Sequence, residues 1–420
     1  TGLSWPNSSL AASPLRESVA RAMSGLDVTS RKTLVFVVTE DWYFVSHRLP
    51  LAVAARHAGY QVVVASRFSS QEPLLKSHGL TLRPIRLRRR GNSLVGEAAA
   101  ILELRRIYRE YAPAIVHHVA LKPVVFGSLA AIGLKRVAVV NAVAGLGFVF
   151  TSRRWLARAL RPVIDLGLRS VLRRRRSVII VQNESDRAQL LARGLASPDA
   201  VRLIGGAGVE LDVFKPSPEP RGVPIVAFAG RLLWDKGVGQ LVDAARILRS
   251  RGVAGRFVLI GEPDLDNPTS VPIETLRGWE REGVVELWGR RSDMPAALSS
   301  VHVVCLPSTY GEGVPKILLE AAACGRPVVT TDWPGCRDVV RDGETGILVP
   351  PGNPEALAEA LERLLRDPAL RREYGEAGRK LAEREFDVRS VVAATLAIYE
   401  GLAEETAGSV GPTAETHASS

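Results

Sequence analysis

Two segments of the 420-residue chain carry residue types that can grip an anion. In the first, Ser308-Thr-Tyr-Gly-Glu-Gly-Val-Pro-Lys-Ile-Leu-Leu-Glu320, seven residues separate Glu312 from Glu320. Gly311 and Gly313 let backbone approach a ligand closely. Pro315 suits a first helical turn, which predicts Glu312 in a loop and Glu320 inside a helix. Their separation along the axis is on the order of 10 Å at about 1.5 Å per residue, enough for two ends of an extended ligand. The helix N-terminus between them favours an anion such as a diphosphate. A helix with a solvated acid at each end is the plainer alternative. In the second segment, Phe228-Ala-Gly-Arg-Leu-Leu-Trp-Asp-Lys-Gly237, a strand ends in Gly230-Arg231 and Lys236 follows five residues later. Two such cations could clamp a diphosphate, Arg as a planar fork and Lys as a point charge. An ordinary basic loop is the alternative.

Other residues invite chemistry less strongly. In Glu40-Asp-Trp-Tyr-Phe-Val-Ser-His-Arg48, a helix start at Ser46 would aim His47 and Arg48 at a phosphate, or would simply be a capped helix. His117 and His118 are neighbours on an expected strand, so they point to opposite faces and only one is expected to reach a ligand. Asp264-Leu-Asp266 spells D-x-D but precedes Asn-Pro, and is read as a loop rather than a metal site. Cys305, Cys324 and Cys336 form no C-x-x-C pair and are read as small packing residues.

The elements that must position these residues alternate. Strand-like runs at Thr33–Thr39, Gln61–Ser66, Ala114–Val119, Val137–Val143, Ser177–Gln182 and Val201–Gly205 are separated by helical patterns such as Ser46–Ala58 and Ser93–Tyr111. After Lys215-Pro-Ser-Pro-Glu-Pro220, which reads as a linker, the alternation restarts. Its strands are Ile225–Ala229, Arg256–Ile260, Val284–Leu287, Val301–Leu306 and Pro327–Thr331. Helices are expected at Gly239–Ser250, Pro315–Ala323, Pro354–Arg366, Leu370–Arg384 and near Ser390–Glu400. This is an α/β chain of two doubly wound parallel sheets, whose ligands sit at the carboxyl ends of strands, in a cleft between the two.

Composition narrows the class. The chain has 46% hydrophobic and 24% charged residues, which excludes collagen-like and wholly disordered proteins. Three scattered cysteines exclude a disulfide framework and fit a reducing cytoplasm. Residues 1–30 lack the charged-then-apolar pattern of a secretory signal and read as a loose arm. The longest nearly apolar stretch, Val137–Phe150, is too short to span a bilayer. Net charge is +11, distributed unevenly: residues 31–215 hold 30 Lys/Arg against 12 Asp/Glu, and residues 216–420 hold 23 against 30. Arg153–Arg176 carries nine arginines and one acid, with apolar residues at helical spacing, and Arg83, Arg86, Arg88, Arg89 and Arg90 add a second cluster. A basic amphipathic helix of this kind can lie on an anionic leaflet. Nucleic acid is disfavoured, because no recognition module is present and aromatics are only 6% of residues.

Gly-Arg-x4-Lys-Gly followed by a strand-end Glu-x7-Glu resembles the retaining glycosyltransferases of family 4, with the GT-B fold. The resemblance runs from about Lys32 to Tyr399. It includes Ile204-Gly-Gly-Ala-Gly-Val-Glu-Leu-Asp-Val-Phe214, Gly261-Glu-Pro-Asp-Leu-Asp-Asn-Pro268 and Thr331-Asp-Trp-Pro-Gly-Cys336. With Ser46-His-Arg-Leu49 and His117-His118-x3-Lys122-Pro123, these stretches look like the branch that builds capsule, exopolysaccharide and glycans on undecaprenyl diphosphate.

The resemblance implies an arm (1–30), an acceptor-binding Rossmann-like domain (31–215) and a nucleotide-sugar-binding one (216–385). A helix (386–405) would pack back on the first domain, followed by a disordered tail (406–420). Gly230, Arg231 and Lys236 would bind the donor diphosphate and Glu320 the ribose. Glu312 would face the transferred sugar, touched also by amides at Gly313 and Val314, and Arg290 would frame the base. His117 or His118 would lie near the donor sugar, and His47, Arg48 and Lys122 would meet the acceptor. Family members often show His-x-His where this chain has His117-His118 and then Val119. No metal and no cofactor are implied, the co-substrate being a nucleotide-sugar, most often UDP-linked. The expected partners are that donor, a lipid-linked saccharide and an anionic membrane, at the inner face of the cell membrane. A nucleotide-sugar 2-epimerase shares the fold but needs no acceptor site. A non-catalytic nucleotide-sugar binder would not need the intact quartet of Arg231, Lys236, Glu312 and Glu320.

Overall fold

Runs of Val, Ile and Ala buried on both faces form strands that only a parallel sheet covered on both sides can use. In the computed structural model, which describes residues 32–89, 93–143, 145 and 167–408, there are two such sheets. The first comprises β1 (Thr33–Glu40), β2 (Gln61–Arg67), β3 (Thr81–Pro84), β4 (Ile115–Val119), β5 (Ala138–Val143), β6 (Ser177–Val181) and β7 (Val201–Leu203), in the order β3-β2-β1-β4-β5-β6-β7. Helices α1 (Asp41–His57), α2 (Glu72–Ser77), α3 (Leu94–Tyr111), α4 (Leu121–Ala130) and α5 (Glu184–Ala192) connect them. The second comprises β8 (Ile225–Ala229), β9 (Arg256–Ile260), β10 (Glu286–Gly289), β11 (Val303–Leu306), β12 (Val328–Thr331) and β13 (Gly346–Val349), in the order β10-β9-β8-β11-β12-β13. Its helices are α6 (Val238–Ser250), α7 (Ile273–Arg281), α8 (Met294–Ser299), α9 (Lys316–Ala323), α10 (Pro354–Arg366) and α11 (Pro368–Glu385). The chain ends its described course in α12 (Val388–Gly408).

All neighbouring strands run parallel. In each sheet the order reverses once, between β1 and β4 and between β8 and β11, and these reversals open crevices at the strands' carboxyl ends. One face of the first sheet, with Leu34, Phe36, Ile115 and Val140, packs on α1 and α12 through Phe44, Leu51, Val391 and Tyr399. The other, with Val35, Val37, Val116 and Val139, packs on α3 and α4 through Leu104, Ile107, Tyr108 and Ala130. The linker is pinned: Arg371 forks onto Glu219 at 2.7 and 2.9 Å, and Arg326 reaches Ser217 Oγ at 2.6 Å.

Several boundaries differ from expectation. Helix α1 begins at Asp41 rather than Ser46, because the Asp41 carboxylate accepts the Trp42 N–H locally and the Ser69 and Gln71 N–H groups from the β2–α2 loop. Strand β10 sits two residues later than Val284–Leu287, and helices α2, α4, α7 and α8 lie where no helix was expected. Helix α12 continues through 408, past the expected tail start at Thr406. The arm, Arg90, the expected basic helix up to 166 and the tail from 409 lie outside the described residues. Among the described residues, no helix is long and apolar enough to cross a membrane.

Candidate active site

Strands β8 and β11 flank the second sheet's reversal, and the loops leaving their carboxyl ends bring Lys236 to Glu312. Lys236 Nζ donates to both Glu312 oxygens, at 2.8 and 3.0 Å. The two side chains are 12% and 11% exposed, so this is a buried pair. Burial alone would lower the Lys236 pKa, but Glu312 outweighs it and the ammonium is held above its usual range. Two glycines make the approach possible. A Cβ on Gly237, whose φ is +80°, would stand 1.9 Å from the Pro307 carbonyl oxygen. One on Gly335, whose φ is +88°, would stand 1.7 Å from that of Gly313. The Lys236 stem in turn passes 3.8 Å from where a Cβ on Gly230 would stand.

A cleft cavity of about 390 Å³ is lined by Trp42 and Arg89 from the first domain and by Gly230, Arg231, Arg290, Lys316 and Glu320 from the second. That volume suits a small-molecule ligand. Glu320, on α9, is 8% exposed, and burial pushes its pKa up although Lys316 Nζ lies 3.3 Å away. Arg231 Nη1 donates to Asp264 Oδ2 at 2.8 Å, and Arg89 Nη1 donates to the same oxygen at 2.6 Å. The domains also meet where Lys316 Nζ donates to the Ser46 carbonyl at 2.8 Å and where the Val314 N–H donates to Gln182 Oε1 at 2.9 Å.

Of the expected donor residues, Gly230, Arg231, Arg290 and Glu320 line this cavity, while Lys236 and Glu312 form the buried pair outside its lining; other expectations are corrected. Neither His117 nor His118 reaches the cavity: both are fully buried, on opposite faces of β4. His117 Nδ1 meets the Tyr399 hydroxyl at 2.5 Å and its ring stacks on Phe36. His118 Nδ1–H donates to Asn141 Oδ1 at 2.7 Å, so its Nε2 accepts from the Tyr108 hydroxyl at 2.8 Å. Both are core histidines because helices cover both faces of the sheet. Because α1 starts early, Arg48 is in mid-helix and 5% exposed, buried in the fold rather than at an acceptor. His47 stacks on Tyr43 with ring centroids 4.1 Å apart. Burial, then Lys316 and Arg48, push its pKa down to about 3, so it offers a neutral imidazole and not a cation. The Val314 amide, expected at the sugar, is committed to Gln182. Lys122 is committed to Glu97 and to the Arg88 carbonyl, both at 2.7 Å.

Sequence reading missed Trp42, Arg89, Lys316 and Asp264 as parts of the site. Lys316 was discoverable as the i−4 neighbour of Glu320. Arg89 was hidden in a run of arginines, and nothing local marks Trp42.

Two facing Rossmann-like domains with a cationic cleft between them define the GT-B fold. Residues 33–183 match the family described as glycosyl transferase 4-like, and residues 223–367 match glycosyl transferases group 1. The chain is 24% identical over 352 residues to the capsular polysaccharide biosynthesis glycosyltransferase CapM of Staphylococcus aureus, spanning 81% of this chain and 90% of that one. It is 30% identical over 269 residues to the N,N'-diacetylbacillosaminyl-diphospho-undecaprenol alpha-1,3-N-acetylgalactosaminyltransferase of Campylobacter jejuni, spanning 61% of this chain and 69% of that one. Its structure matches that of HepE from Anabaena in complex with UDP and glucose with a TM-score of 0.71 at 17% identity, covering 88% and 100% of the two chains. The chain belongs to the group 1, family 4-like glycosyltransferases.

Proposed function

We propose that this glycosyltransferase moves a sugar, with retention of anomeric configuration, from a UDP-sugar to a saccharide carried on a polyprenyl diphosphate, in the assembly of a cell-surface polysaccharide or glycan. The observation that carries the reading is a cavity lined by Arg231, Arg290 and Glu320, with the buried Lys236–Glu312 pair close enough to Arg231 for its charge to act on Lys236, at the carboxyl ends of β8 and β11. Arg231 and Lys236 bind the diphosphate and offset the charge on departing UDP, so no metal is needed for that electrostatic work. Glu320 accepts from the ribose hydroxyls, and Glu312 faces the transferred sugar. The bond from the anomeric carbon to the phosphate oxygen breaks with its electron pair leaving on UDP. The acceptor hydroxyl attacks from the same face and passes its proton to that leaving oxygen.

A UDP complex of the structurally similar HepE and the diphospho-undecaprenol acceptor named for the Campylobacter relative support this choice of donor and acceptor class. The name of the Staphylococcus relative supports capsule-type assembly. The test is product formation from a panel of UDP-sugars, with and without a polyprenyl-diphosphate saccharide, in the presence of a chelator. Transfer that survives the chelator, with the donor's anomeric configuration kept in the product by NMR, supports the reading. Donor epimerisation without an acceptor, or no turnover with any donor, rejects it.

A further inference from the structure

The cationic cleft already holds an anion of its own. Asp264 Oδ2 sits between two guanidinium groups from different domains, 2.6 Å from Arg89 Nη1 and 2.8 Å from Arg231 Nη1. Arg89 Nη2 reaches the other oxygen at 3.4 Å. The Asp264 side chain is only 10% exposed, and all three residues line the donor cavity. Burying a carboxylate among arginines reproduces the charge and hydrogen-bond geometry of a phosphate oxygen held by two forks.

The surroundings separate what is fixed from what can swing. The backbone of Asp264 is tied down, its N–H donating to Ser270 Oγ at 2.9 Å and its carbonyl accepting from the Asn267 N–H at 2.8 Å. Among the described residues its carboxylate is held by the two arginines alone, so a side-chain rotation releases it. Arg89, in contrast, has further supports that do not depend on Asp264. Its Nε donates to Glu40 Oε1 at 3.3 Å, and its guanidinium lies over the Trp42 ring, 5.4 Å from the centroid. When Asp264 leaves, Arg89 stays aimed into the cavity, and a cation held in place in advance binds at lower ordering cost.

We propose that Arg89 is the first domain's ligand to the donor diphosphate, and that Asp264 is an internal stand-in which the diphosphate displaces from Arg89 and Arg231. The exchange keeps the two domains bridged, because a diphosphate oxygen takes over the link that the carboxylate makes in the empty cleft. This rests on the reading of the cavity as a nucleotide-sugar site. It adds a residue from the domain opposite the clamp and an intramolecular competitor.

Calorimetry with UDP, and with uridine as the probe lacking phosphate, tests it. Asp264→Asn keeps the side chain's shape and removes its charge, and should tighten UDP by about fivefold or more. Arg89→Ala should weaken UDP by about tenfold or more, with Arg89→Lys intermediate. In the Asp264→Asn background, Arg89→Ala should cost more than in the wild type, since no internal anion then competes for Arg89. Uridine affinity should stay within about twofold throughout, which a merely structural role would not allow. Glu262→Gln, at another acid lining the cavity, measures the effect of removing one charge that neither arginine holds. Weaker UDP binding in Asp264→Asn, an equal gain in Glu262→Gln, or uridine affinity falling together with UDP would overturn the proposal. So would effects that appear only with a UDP-uronate, which would assign the arginine pair to a sugar carboxylate. Arg231→Ala and Glu320→Ala report on the underlying reading: if both leave UDP affinity unchanged, the donor site itself lies elsewhere.

Discussion

At the residue scale, the proposed donor site gives Lys236 and Glu312 a second job beside their buried pairing, and mutation can pull the two apart. Breaking a buried pair by removing one partner costs about 3–5 kcal/mol, because the other charge is stranded. Lys236→Ala should therefore lower the melting temperature as well as turnover, whereas Lys236→Ala with Glu312→Ala should recover stability but not activity. Arg231 is 35% exposed, and its loss should cost little stability. Arg231→Ala should still lower kcat by about 100-fold or more, as removal of a charge-stabilising donor does. Near-normal turnover of folded Arg231→Ala would exclude the clamp. The buried histidines predict acid sensitivity. Protonating His118 Nε2 would end its acceptance from Tyr108 and place a charge in a sealed core, and that burial brings its pKa down from 6.5 to about 4. The unfolded chain then binds the proton first as pH falls, so stability contributed by neutral His118 is full above pH 6.5 and is lost progressively below it. By pH 4 the loss is about 3 kcal/mol from this residue alone. Replacing His118 with Gln should flatten the stability profile between pH 6.5 and 4, and an unchanged slope would count against the assignment.

At the scale of elements, helix α1 carries a proline in its interior, and the domains use the consequence. Pro50 has no N–H to donate to the Ser46 carbonyl four residues back, and Lys316 of the second domain donates to that carbonyl instead. Pro50→Ala returns a helical partner to Ser46 and adds helix propensity, so it should raise the melting temperature by a few degrees. It should also weaken the link between domains, raising KM for the donor several-fold with kcat held at saturation. A higher melting temperature with unchanged KM would show the link to be dispensable. The same helix shows why some of the site was legible in the sequence and some not. Strands such as Leu34–Val38 and Val226–Ala229 are apolar runs whose burial on both faces is written locally, and with the reversal in strand order they place Arg231 and Lys236. The start of α1 is set by Ser69 and Gln71, 28 and 30 residues from Asp41, which no local pattern reveals. Strand alternation separates His117 from His118, but the cover over His117 is Tyr399, 282 residues away. The commitment of the Val314 amide to Gln182, across 132 residues and two domains, is non-local in the same way.

At the scale of the molecule, the expectation that the first domain docks on an anionic leaflet, where a polyprenyl acceptor's tail would be anchored, can be tested on its exposed residues. On α3, Val95 and Leu102 are 80% and 65% exposed, and seven residues apart they share one face of the helix. Arg106 and Arg109 are exposed further along the same helix, and Arg88 lies exposed just before it. Arg173 and Arg175 add exposed charge, whereas Arg174 and Arg176 are spent inside the fold. Arg174 donates to the carbonyls of Ala131, Leu134 and Val137, and Arg176 to that of Leu402. Each basic residue near such a surface contributes about 1 kcal/mol. Burying Val95 and Leu102 adds about 1.5–3 kcal/mol each, so reversible attachment needs no spanning helix. Binding to liposomes should rise with anionic lipid content and fall with salt. Val95→Asp with Leu102→Asp, or Arg173→Glu with Arg175→Glu, should release the protein while leaving UDP affinity and melting temperature intact. Either pair should also slow transfer to a long-chain polyprenyl acceptor more than transfer to a short soluble analogue, because only the long chain is confined to the bilayer. Equal binding to neutral and anionic liposomes, or none to either, would make a soluble acceptor the better account of the cleft.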